Sequence, residues 1–176
     1  MAVLEQFITE KFVEAEFADR LRLLQGEDLE RLEALIVDLA PSANALREYL
    51  QLADAIVRRD STSLANLLSD IRSQIQENLG RKDRQRLLRD ALERRRFPLR
   101  AQIHDELDKC RRQLLRDLNL QIDYPSDLEG DVLHLESDFR NLDDLTALSE
   151  KIRSAVEHPA LKRILEILRG ESSGTV

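Results

Sequence analysis

The chain of 176 residues has no tryptophan, one cysteine, one methionine, five glycines and four prolines. A lone cysteine, Cys110, excludes an intramolecular disulfide and any cysteine-rich zinc centre. The glycines stand singly at Gly26, Gly80, Gly130, Gly170 and Gly174, so no glycine-rich phosphate loop can be drawn. The longest aliphatic run, Ala34 to Val37, is far shorter than the roughly 20 residues of a membrane-spanning helix. Glu5 and Glu10 stand where a leader peptide would be basic and then apolar. These absences together lead us to expect a soluble, cytoplasmic protein without a membrane partner. Few breakers, and many Leu, Arg, Glu and Ala, favour helices.

Charge is abundant, at 35% of residues, and unevenly placed. The net charge is -7. Residues 1–79 carry -7, residues 80–118 carry +6 and residues 119–176 carry -6. The stretch from Gly80 to Arg100 holds nine Lys and Arg against three Asp and Glu. An acidic partner, or the protein's own acidic flanks, would complement it.

Apolar spacing predicts a mainly α protein, an N-terminal helical bundle followed by a helix–β-hairpin–helix (α+β) module. Residues 1–79 read as four helices. The first runs from Leu4 to Leu24 and stops at Gly26. The second ends near Pro41, the third is capped by Ser42, and the fourth, after the "DSTS" at 60–63, ends at Gly80. Residues 80–98 read as a basic connecting helix with Leu87, Leu88, Ala91 and Leu92 on its apolar side. Residues 99–170 form the module. Its first helix carries Leu99, Ile103, Leu107, Cys110, Leu114 and Leu118 within an arc of about 100°. A stripe so narrow suits one long neighbour, in this chain or in a second copy. Alternation at 120–124 and 132–139 predicts a hairpin, with Leu133, Leu135 and Phe139 on its apolar face. Leu142, Leu145, Leu148, Ile152 and Val156 mark the next helix, interrupted by "HP" at 158–159 and continued from Leu161 to Leu168. Residues 171–176 read as a frayed tail.

Little in the sequence points to catalysis, and no cofactor or metal is expected. His104 and Asp108 share a helix face and would make half a metal site, but the simpler reading is a surface histidine beside a carboxylate. "DLEGD" at 127–131 lacks the glycine and glutamate spacing of a calcium loop and reads as a turn. Cys110 lies between Leu107 and Leu114 on the apolar arc, the place of a small buried hydrophobe rather than a nucleophile. No nucleophile elbow joins the Ser, His and Asp residues present.

The basic helix is the remaining candidate site. Lys82, Arg86, Arg89 and Arg96 project within about 80° of one another and would track a phosphate backbone or an acidic protein. Pairs such as Arg86–Asp90 and Arg89–Glu93 also permit internal neutralisation. In element order alone, residues 99–169 resemble the C-terminal dimerisation module of ParB-type partition proteins. That resemblance implies a homodimer, with nucleic acid as a possible partner. The leading expectation is a non-enzymatic assembly protein dimerising through its C-terminal part. The alternatives are a nucleic-acid-associated protein using 81–100, and an enzyme with a site of dispersed carboxylates.

Overall fold

Leu21, Leu32, Leu46, Ile56, Leu67 and Leu92 are wholly enclosed, and they come from five different helices. They define the centre of the first of two units, residues 1–98, in the computed structural model of the chain; the second unit is residues 99–176. The structure describes residues 2–76, 78–125, 128–130 and 132–171. The fold is mainly α, with one antiparallel two-stranded sheet among the described residues. None of the described helices is long and apolar enough to cross a membrane.

The first unit holds α1 (Ala2–Glu10), α2 (Ala15–Arg22), α3 (Gly26–Leu39), α4 (Ala43–Asp60), α5 (Leu64–Gln74) and α6 (Arg81–Arg96). Two of the expected caps form: Ser42 Oγ accepts from the Ala45 amide and Ser63 Oγ from the Asn66 amide, each at 3.1 Å. Asp28 reaches from α3 to accept the Ala65 amide at 2.7 Å, tying the start of α5 to α3. Leu88 and Leu92 of α6 complete the core formed by α1 to α5.

The first helix differs from the sequence expectation. It breaks after Glu10, and α2 starts at Ala15. Val13 N–H bonds to Ile8 O at 3.1 Å and Phe12 N–H to Thr9 O at 3.4 Å, with Phe12 at φ 50°. This is a Schellman stop built on a phenylalanine. Its usual sequence mark, a glycine, is missing. Gly26, expected to stop a helix, instead opens α3 at φ 58°. Likewise α5 ends at Gln74, and Gly80 is the N-cap of α6.

The second unit holds α7 (Pro98–Leu118), whose first residue is the last of unit one, then β1 (Gln121–Asp123), β2 (His134–Glu136), α8 (Leu142–Glu157) and α9 (Pro159–Leu168). Leu107, Cys110 and Leu114 of α7, Ile122 of β1, and Ala160, Ile164 and Ile167 of α9 make its core. Arg163 Nε donates to Glu106 Oε1 at 2.6 Å and links α9 to α7. The interruption at "HP" is a cap: His158 Nδ1 accepts the Ala160 amide at 3.2 Å, and Pro159 begins α9. Both strands are shorter than the alternation suggests. They pair as Gln121 with Glu136, Ile122 with Leu135 and Asp123 with His134. Ser126, Asp127 and Asp131 of the hairpin connection, and 172–176 of the expected tail, lie outside the described residues.

Candidate functional site

The basic helix is docked on α3, α4 and α5. On one wheel, Arg84, Leu88, Leu92 and Arg95 fall within about 80°, and the arc of Lys82, Arg86, Arg89 and Arg96 is centred about 120° away. The leucine arc is the buried one. Arg84 Nη1 donates to Asp38 Oδ1 of α3 at 2.6 Å. Arg95 reaches Asp60 of α4 at 3.4 Å and Asp70 of α5 at 3.3 Å. Gln85 Nε2 donates to Leu39 O at 2.7 Å, and Tyr49 Oη donates to Gln85 O at 3.4 Å. Burial, with the Glu48 carboxylate beside it, pushes the Tyr49 phenol up.

The C-terminus of α6 is closed by Arg59. Its Nη2 donates to Arg95 O at 2.7 Å and its Nη1 to Arg96 O at 3.3 Å. A cation here also meets the negative end of the helix dipole. The same guanidinium grips Asp60 through Nε at 2.7 Å, and this holds the Asp60 carboxyl below its ordinary value.

The four residues expected to bind an acidic partner have separate surroundings. Lys82 and Arg86 are exposed, and Arg86 meets Asp83 at 3.5 Å within its own helix. Arg89 is exposed but bridges Glu48 of α4 at 2.9 Å and Glu93 at 3.2 Å. Arg96 is half-buried, its guanidinium 5.1 Å from the centre of the Phe97 ring. Arg84 and Arg95, beside the leucines, carry interhelical contacts, and Arg89 adds one from the outer arc. An arginine sharing a face with leucines was the available signal.

The six apolar residues proposed on α7 also divide. Leu107, Cys110 and Leu114 are covered by β1 and α9 of the same chain. Leu118 is half-buried against that core, whereas Leu99 and Ile103 are exposed. Burial pushes the Cys110 thiol above its ordinary value, which disfavours the thiolate. Asp108 accepts from Tyr124 Oη at 3.0 Å and pairs with Arg111 at 3.5 Å, so it is occupied away from His104. Among the described residues no three His, Cys, Asp or Glu side chains converge as metal ligands.

The apolar stripe of α8 is largely open. Leu142, Leu145, Ile152 and Val156 are exposed, and Ala155 alone of this helix is buried. On the sheet, Ile122 is 4% exposed while Leu135, directly across from it, is 41% exposed. Paired residues share a face of the ribbon. The cover over that face therefore ends between β1 and β2. Val132 and Phe139, on either side of β2, are exposed as well. Comparison with known proteins finds no matching family model, no matching curated protein and no matching solved structure.

Proposed function

We propose that the chain is a non-enzymatic assembly protein that pairs with a second copy of itself through β2 and α8. The observation that carries this reading is the half-covered hairpin face, with Ile122 enclosed and Leu135 open. A second copy placed about a two-fold axis, β2 beside β2, extends the ribbon to four strands and gives both open faces a cover. It also covers the exposed stripe of α8, which spans an arc of about 80° from Ile152 through Leu145 and Val156 to Leu142. A two-stranded ribbon is marginal in water, so the pairing also stabilises the element that mediates it.

Sedimentation equilibrium tests the reading. The expected mass at micromolar concentration is twice the 20.3 kDa of the chain. Leu145→Asp and Ile152→Asp, on an exposed face, are expected to return the monomer with unchanged helicity. A single 20.3 kDa species for the unmodified protein removes the proposal.

The exposure of Lys82 and Arg86 on the outer arc of α6 favours a second reading, contact with nucleic acid. The neighbouring Asp83 and the Arg89 pairs with Glu48 and Glu93 reduce the free positive charge there. Titration with duplex and single-stranded DNA and RNA at two salt concentrations separates the readings. Salt-sensitive affinity lost in Lys82→Gln/Arg86→Gln supports nucleic acid, and no salt-sensitive binding ends it.

A further inference from the structure

A cleft of about 330 Å³ opens between α3, α5 and α6 in the first unit. Its floor is apolar, formed by Leu35, Leu68, Ile75 and Leu88. Its polar lining is unbalanced: Arg31, Arg72 and Arg84 stand against one carboxylate, Asp38. Asp38 is shared, with Oδ1 at 2.6 Å from Arg84 and Oδ2 at 3.3 Å from Arg72. Arg31 has no ion-pair partner among the described residues. Ser69 adds a neutral donor to the lining. The volume lies at the small end of the range for small-molecule sites, roughly 300–1,000 Å³.

We propose that this cleft binds a small organic carboxylate with an apolar tail, its head held by Arg31 and Arg72 and its tail laid over Leu35, Leu68, Ile75 and Leu88. The charge balance selects an anion, because three guanidiniums share one acid. Arg84 is committed to Asp38 at 2.6 Å, which leaves Arg31 and the exposed side of Arg72 for the head. Guanidinium matches a carboxylate with two parallel hydrogen bonds. The floor offers no polar side chain, so it selects an apolar tail and rejects a fully hydrated anion. This inference does not rest on self-association, which uses the other unit.

The test is an amide-resolved NMR titration of the full-length protein with octanoate, with octanol and octylammonium as controls. Saturable shifts at residues 31, 35, 68 and 72 are expected with octanoate alone. Arg31→Gln and Arg72→Gln are each expected to weaken binding about tenfold, the loss of one charge-assisted hydrogen bond. Arg58→Gln, the same charge change on α4, is expected to leave affinity unchanged. Equal binding of octanol, indifference of both cleft variants, or shifts confined to the open apolar face of the second unit would overturn the proposal. So would the absence of saturation.

Discussion

Arg59 Nη2 donates to the carbonyl oxygen of Arg95 at 2.7 Å, so one arginine closes a helix whose last turn contains three others. The contact joins α4 to α6 through backbone, and it neutralises no acid in doing so. Replacing Arg59 with Gln is expected to release the last turn of α6 first. Hydrogen exchange should then accelerate at 94–97 while the amides around Leu88 keep their protection. Uniform acceleration along α6 would show that the cap is not local.

The two arcs of α6 are expected to respond differently to mutation. Leu92→Ala removes a wholly enclosed side chain and should destabilise the first unit by about 2–5 kcal/mol. The quadruple change Lys82→Gln/Arg86→Gln/Arg89→Gln/Arg96→Gln touches one interhelical pair, Arg89–Glu48, and should cost about 0–1 kcal/mol. Urea unfolding measures both. A quadruple variant as unstable as Leu92→Ala would mean that the outer arc, not the leucine arc, holds the helix.

Phe12 holds a left-handed conformation at φ 50°, and the residue is 92% exposed. The ring contributes little packing and the backbone is strained. Phe12→Gly is therefore expected to stabilise the first unit by about 0.5–1.5 kcal/mol, after the entropy that glycine adds to the unfolded chain. Thermal unfolding checks the sign. A loss of stability would assign the exposed ring a contact with another molecule or a larger role in the stop.

Asp60 and Tyr124 act at opposite ends of the pH scale. The Asp60 carboxyl is held below its ordinary 3.8, first by its hydrogen bond from Arg59 and further by Arg95. A depressed acid stabilises the fold above its unfolded value and ceases to as pH falls through the folded one. The first unit should therefore weaken below about pH 5, and less steeply in Asp60→Asn. The Tyr124 phenol is pushed up from 10.0 to about 12, by burial first and then by its hydrogen bond to Asp108. Its contribution is complete below 10 and is lost as pH rises toward 12. Tyr124→Phe should flatten the alkaline limb of the second unit. Both limbs can be followed by amide signals assigned to each unit.

Much of this architecture was legible in the sequence, because helical periodicity reports the buried face directly. Ser42 and the "DSTS" at 60–63 were readable as caps, and Ser42 and Ser63 each accept the amide three residues on. The Phe12 stop was not readable, since the conformation that ends α1 is one an L-residue rarely adopts. The α8 stripe was read correctly as apolar, and its exposure was not, because periodicity identifies a face without naming what covers it. The basic stretch was read from its charges, while its docking is decided by Leu88 and Leu92 with Arg84 and Arg95 beside them.

The place of α6 in the first unit determines where the chain can be divided. Cut before Gly80, the remaining helices would keep seven excess negative charges and lose the cations of Arg84 and Arg95 along with two core leucines. Such a fragment would be repelled by its own acids and open along one side. Cut after Pro98, the same helices retain an internal counterion and a closed core. Gene fusions, tags and fragments for crystallisation should therefore take the boundary at Pro98. A charge plot alone would have put it one helix too early.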